Sequence, residues 1–187
     1  SLIVSNAEKH KSNPAFVDDM FDTIRNSVDR MTRLMSQMRS GVRGASVERI
    51  ELGALLRQVL KGRMKLEPLP ELDIRREDLW VQADPEQLAT VFGHLIQNAQ
   101  EATERNGRVG VRLSADAGRA VVEVEDSGVG MDDEFIRNRL FKPFDTTKGL
   151  TGMGIGVVES REFVRSLGGD LQVSSTVGVG SVFKIVL

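Results

Sequence analysis

The chain of 187 residues is 40 % apolar and 28 % charged, with a mean hydropathy of −0.19, which excludes a disordered tail or a membrane protein and accommodates one domain with an appendage. Twenty-five Lys and Arg against twenty-seven Asp and Glu give a net charge of −2, without the basic excess that a phosphate-backbone binder needs, so nucleic acid is not an expected partner. The absence of Cys and the presence of only His10 and His94 exclude a disulfide framework and a thiolate metal site.

No apolar run approaches the roughly 18 residues of a spanning helix, and Ser1–Val4 is too short for a signal peptide, so the chain as given is expected to stay out of the membrane. Over residues 15–39 the apolar side chains Val17, Phe21, Ile24, Val28, Met31, Met35 and Met38 step 4, 3, 4, 3, 4, 3, the seam of a coiled-coil helix. Asn13-Pro14 breaks the chain before it, and residues 2–11 predict a shorter helix, so the two form an antiparallel hairpin. A helix of about 25 residues spans roughly 38 Å while a partner of about 12 reaches roughly 18 Å. Half of the seam is left without a partner, which implies a longer natural first helix and a homodimer. Ser40–Gly44 marks a stop and a linker. The expected organisation is therefore a partial helical hairpin over 1–41, a linker over 42–46 and a second unit over 47–187.

That second unit is mixed. The pattern predicts a strand over 47–52, a helix over 54–63 and a strand over 79–83. A strong helix over 85–104 follows, with Asp84 as N-cap, Pro85 at the first helical position and Gln87 completing a capping-box arrangement. Strands over 109–114 and 120–126 make a hairpin around Asp116-Ala117-Gly118. A short helix over 133–139, a glycine-rich stretch, a helix over 155–167 and strands over 170–175 and 181–187 complete the unit.

Glycine is concentrated after Asp126, where bare backbone serves positive φ or close approach to a ligand. Asp126-Ser127-Gly128-Val129-Gly130-Met131 ends a strand on a carboxylate and turns on two glycines, which suits an amino-bearing ring such as adenine. Gly152-Met153-Gly154-Ile155-Gly156 runs into a helix, an arrangement in which free N–H groups and a helix N-terminus face phosphate. Either run alone reads more readily as a plain turn.

Taken in order, His94-Leu95-Ile96-Gln97-Asn98-Ala99-Gln100-Glu101-Ala102, Asp126-x-Gly128-x-Gly130, Phe141-Lys142-Pro143-Phe144, Gly152-x-Gly154-x-Gly156 and Gly178-Val179-Gly180-Ser181-x-Phe183 resemble the asparagine, first glycine, phenylalanine, second glycine and terminal boxes of sensor histidine kinases. The resemblance implies an α+β fold, the two-layer α/β sandwich of Bergerat type shared with Hsp90, gyrase and MutL-like ATPases, in which helices cover a mixed sheet behind the N-terminal hairpin. It implies ATP and Mg²⁺ as cofactors, with Asn98 as the metal ligand and Asp126 as the acceptor of the adenine amine. Gly128, Val129, Gly130 and Met131 would line the base, with Ser181 beside it where the family often has Thr. Residues 141–156 would form the nucleotide lid, with Thr147, Lys148, Gly152, Met153, Gly154, Ile155 and Gly156 near the phosphates and Phe144 packing to hinge or close it. Glu101, Ala102 and Arg105 would also face the nucleotide.

Three departures stand out. Position 94, commonly Asn in these kinases and the water-activating Glu in the ATPase branch, is His94, which suits a base, a γ-phosphate contact or a polar spectator. Glu101 occupies a position that is often Lys, so that Arg105 is the candidate for the missing positive charge; Glu101-Ala102 and Phe141–Lys148 look closer to the nitrogen-regulation type, and residues 5–12 and 152–169 are similar to kinases of exosortase (PEP-CTERM) systems. His10 is followed by Lys11 rather than an acidic residue and sits beside Asn13-Pro14, so it does not match the phosphoacceptor, which is expected outside this chain. The resemblance implies a homodimer through the N-terminal helices, a response-regulator receiver as partner and a cytoplasmic location, with a membrane anchor only in missing N-terminal parts. The competing readings are an ATPase of the same fold, an anti-sigma-type serine kinase, and a nucleotide-sensing or partner-binding module without kinase activity.

Overall fold

The computed structural model describes residues 46–64, 66–143 and 154–187; the helices expected over 2–11 and 15–39, the linker through position 45, and the lid positions 144–153 lie outside the described residues. In chain order the elements are β1 (Glu48–Glu51), α1 (Leu52–Arg63), β2 (Pro70–Ile74), β3 (Trp80–Ala83), α2 (Pro85–Ala102), β4 (Val109–Asp116), β5 (Arg119–Asp126), α3 (Asp133–Asn138), α4 (Gly156–Ser166), β6 (Asp170–Thr176) and β7 (Gly180–Val186).

The start of α2 follows from its capping residues. The Gln87 N–H donates to the Asp84 carboxylate at 3.0 Å, and Pro85 sits in the first turn, where its missing N–H costs nothing. Leu88, Val91, Phe92, Leu95, Ile96 and Ala99 then bury one face of the helix at the 3.6-residue period. The helix ends at Ala102 rather than 104, because Thr103 adopts extended geometry and returns its hydroxyl to the Ala99 carbonyl at 2.7 Å.

Alternation builds the sheet beneath. Val109, Val111 and Leu113 of β4, Val122 and Val124 of β5, and Phe183 and Ile185 of β7 are buried toward the helices, while Arg112, Glu123 and Glu125 point to the other face. The strand order is β2-β4-β5-β7-β6, with β2 parallel to β4 and the other pairs antiparallel. β4 and β5 are joined by a two-residue turn in which Ala117 (φ 49°) and Gly118 (φ 82°) both take positive φ, the type I′ geometry that matches strand twist. Helix α2 lies in the middle of the helical layer, with α1 and α4 packed against it. β1 and β3 pair with each other as a small antiparallel ribbon outside the main sheet.

The expected α+β architecture, helices over a mixed sheet, is therefore present, with one strand added. β2 is absent from the sequence expectation because Pro70 heads it and only Leu72 and Ile74 alternate as apolar residues. Its parallel pairing with β4 places it at the sheet edge, where a leading Pro is tolerated. The loop before it is braced from α2 by Gln100, which is 2 % exposed. Its Nε2 donates to the carbonyls of Arg63 (3.2 Å), Leu66 (2.6 Å) and Pro68 (3.1 Å). Three acceptors around one atom require the amide nitrogen there.

Candidate functional site

Three strands meet in register at one end of the sheet. Asp126 of β5 lies opposite Ser181 of β7, and Ser181 lies opposite Ser175 of β6. Asp126 shares the helix-covered face with Val122 and Val124 and is only 6 % exposed. Burial pushes its carboxyl above the usual carboxylate value of 3.8, against the downward pull of the Gly128 N–H and of the Ser181 N–H and hydroxyl. The Gly128 N–H donates to Asp126 Oδ1 at 2.9 Å.

The turn that follows is tied down on both sides. The Val129 N–H donates to the Ala102 carbonyl at the end of α2 (3.1 Å), and the Gly178 N–H donates to the Val129 carbonyl (2.8 Å). The Met131 N–H donates to Ser175 Oγ at 2.8 Å. A Cβ on Gly128 would overlap the Ala102 carbonyl, and one on Gly130 (φ 66°) would overlap that of Thr176. The glycines anticipated as room for a ligand are thus required where the chain closes on its own carbonyls.

On α2, His94, Asn98, Glu101 and Ala102 fall on one side of the helix at spacings of four, three and one. The His94 ring lies 3.4 Å from where a Gly156 Cβ would stand, so the first residue of α4 abuts the polar side of α2. Gly154 takes φ 61°, and Ile155 is the N-cap residue of α4. Glu101 is held by Gln97, whose Nε2 donates to Glu101 Oε1 at 2.6 Å while its Oε1 accepts from Arg63 Nη1 at 2.7 Å. Arg63 thus reaches Glu101 through Gln97, and neither Arg63 nor Gln97 was singled out from the sequence. Arg105 lines a depression of about 240 Å³ with Glu67, Pro68, Gly107 and Arg108. The Arg161 guanidinium of α4 stacks 3.8 Å from the Phe141 ring centroid. Phe144, Thr147, Lys148, Gly152 and Met153 lie outside the described residues.

A larger hollow of about 670 Å³ runs along the uncovered face of the sheet, lined by Glu71, Asp73, Arg112, Glu123 and Glu125 and also by Asp126 and Ser181. Its walls are the solvated side of an amphipathic sheet, whereas His94 and Asn98 stand in the helical layer on the other side. Among the described residues no group of three or more His, Cys, Asp or Glu could hold a metal ion, and no helix is long and apolar enough to cross a membrane.

Residues 83–187, which carry both the asparagine box and the Asp126 turn, match the histidine kinase-, DNA gyrase B-, and HSP90-like ATPase family. The chain belongs to this family. Within it, the circadian input-output histidine kinase CikA of Synechococcus elongatus is 31 % identical over 163 residues, covering 81 % of this chain and 21 % of CikA. The nucleotide-free catalytic domain of histidine kinase ThkA superposes with a TM-score of 0.65 at 27 % identity, covering 76 % of this chain and 95 % of that one. ThkA in complex with the response regulator protein TrrA shares the fold, with a TM-score of 0.70 at 22 % identity over 100 % of this chain and 56 % of that one. Membership of this ATPase family makes ATP the expected ligand, and this chain spans less than a quarter of CikA.

Proposed function

We propose that the chain is the ATP-binding catalytic part of a two-component sensor histidine kinase, which supplies the γ-phosphoryl to a histidine outside this chain for onward transfer to a response-regulator aspartate. The observation that carries this reading is Asp126, a buried carboxylate at a strand end whose Oδ1 accepts the Gly128 N–H and which the neutral Ser181 N–H and hydroxyl face. A carboxylate offers about four lone-pair sites, so acceptor capacity remains for the exocyclic amine of adenine.

From that anchor the triphosphate extends toward the side of α2 that carries Asn98 and His94 and abuts Gly156. The Asn98 side-chain oxygen suits a hard cation. With no three-ligand cluster among the described residues, Mg²⁺ would have to take most of its shell from phosphate oxygens and water. When bound, Mg²⁺ neutralises charge on the transferring phosphoryl group. His94 orients the γ-phosphate from one turn before Asn98, and a histidine there in place of a carboxylate disfavours the water-activating ATPase branch. Catalysis by this chain is then positioning and charge stabilisation, completed when the acceptor imidazole attacks phosphorus and ADP leaves.

Within this reading residues 1–41 contribute a partial dimerisation hairpin, 42–46 a linker and 47–187 the catalytic domain, working on the cytoplasmic side. A response-regulator partner is supported by the likeness to ThkA, which is seen with TrrA. Glu101-Ala102 and the Phe141–Lys148 stretch support the nitrogen-regulation subtype, and the likeness of residues 5–12 and 152–169 to exosortase-system kinases remains a narrower form of it.

Two outcomes are expected. Asn98→Ala lowers the affinity for a non-hydrolysable ATP analogue in Mg²⁺ by on the order of tenfold while leaving metal-free ADP binding nearly unchanged, as read by calorimetric titration. Equal losses in both titrations would make Asn98 structural instead. Incubation with γ-labelled ATP leaves His10 unlabelled, and acid-labile label on His10 would contradict an acceptor outside the chain.

A further inference from the structure

Ser175 belongs to none of the boxes, yet three parts of the site meet at its hydroxyl. It accepts the Met131 N–H at 2.8 Å, lies 2.8 Å from the Gly180 carbonyl and stands 3.0 Å from Ser181 Oγ. A hydroxyl has one proton and two lone pairs. The Gly180 carbonyl can only accept, so the Ser175 proton goes there, and Met131 occupies a Ser175 lone pair. The Ser181 hydroxyl, 3.0 Å away, also has one proton, which goes either to the remaining Ser175 lone pair or to Asp126 and not to both. Register adds a second argument, because Ser175, Ser181 and Asp126 form one row across β6, β7 and β5 on the helix-covered face.

We propose that Ser175 is a positioning residue for base recognition, its hydroxyl bridging the Met131 N–H and the Gly180 carbonyl and so pinning the turn after Asp126 to the start of β7, which keeps the carboxylate aimed at an exocyclic amine. This rests on the reading that Asp126 accepts the adenine amine. In this reading Ser175 acts through Met131 and Gly180 rather than by contact with the base. Its removal therefore costs selectivity for adenine over a base that carries a carbonyl at the same ring position, rather than affinity for nucleotides in general.

The test uses the full chain, titrated with ADP and with IDP, whose base has a carbonyl in place of the amine. Ser175→Ala lowers ADP affinity about fivefold, as expected for one net hydrogen bond, and changes IDP affinity by less than about twofold. Ser175→Thr keeps the hydroxyl on a residue well suited to a strand and restores the ADP preference. Equal losses for ADP and IDP, or no loss in Ser175→Ala, would overturn the role of Ser175 while leaving the adenine reading intact. A wild-type chain that does not prefer ADP to IDP would overturn the adenine reading and this proposal with it.

Discussion

Asp126→Asn lowers ADP affinity by roughly 10- to 100-fold, the magnitude of a hydrogen bond to a charged acceptor lost from a buried site. The carboxylate presents only acceptors to the Gly128 N–H, the Ser181 N–H and the Ser181 hydroxyl. An amide in the same place puts an NH₂ group against one of those donors or against the adenine amine, so one of them loses its partner. The fold tolerates the change. Burial raises the Asp126 pKa in the folded chain above 3.8, so the ionised form is disfavoured by folding at neutral pH and that cost disappears as pH falls below the raised value. Removing the charge consequently leaves thermal stability at neutral pH equal to wild type or higher. The same shift sets the acid limb of ADP binding. Wild-type affinity falls as the carboxyl protonates, beginning at a higher pH than an ordinary aspartate would allow, whereas Asp126→Asn shows no such limb. Titrations across pH paired with thermal melts check both statements, and a variant that binds ADP like wild type would remove Asp126 from the site.

Gly180→Ala destabilises the fold by about 3–5 kcal/mol, the range reached when backbone geometry and packing are both violated. Gly180 opens β7 with φ 132°, and a Cβ there would overlap the carbonyl oxygen of Asp126 itself. No flexible side chain can move aside, so β5 and β7 would have to part at the row that carries Asp126 and Ser181. Gly178, two residues earlier, supplies the control. It also has positive φ, at 76°, but a Cβ there meets nothing within 4 Å, so Gly178→Ala costs only about 1–2 kcal/mol for the left-handed backbone. Denaturant unfolding of the two variants separates steric from conformational cost, and equal losses would mean that β7 does not approach Asp126 so closely.

Local signals made much of this fold legible. Helix α2 carried its own start in Asp84, Pro85 and Gln87 and its burial in a 3.6-residue repeat, and the β4–β5 turn was announced by Ala117-Gly118 between alternating strands. β2 gave no such signal, since two alternating apolar residues behind a proline become a strand only beside β4, far along the chain. The site divides in the same way. Asp126, Gly128 and Ser181 were readable because strand ends and glycine turns mark the sequence. Ser175, Gln97, Arg63 and Gln100 were not, because a polar residue in a strand or helix shows its role only through partners brought by tertiary packing. The glycines after Asp126 were expected to bring bare backbone close to a ligand, and in the fold a Cβ on Gly128, Gly130 or Gly180 would meet the carbonyls of Ala102, Thr176 and Asp126.

The most direct measurement is a calorimetric titration of the intact chain with ADP and with a non-hydrolysable ATP analogue, each with and without Mg²⁺. Saturable one-to-one binding with a dissociation constant on the order of micromolar is expected, tightened by Mg²⁺ for the triphosphate. No saturable binding of either nucleotide by a folded chain would contradict the assignment of the Asp126 row and the Asn98 side of α2 as an ATP site.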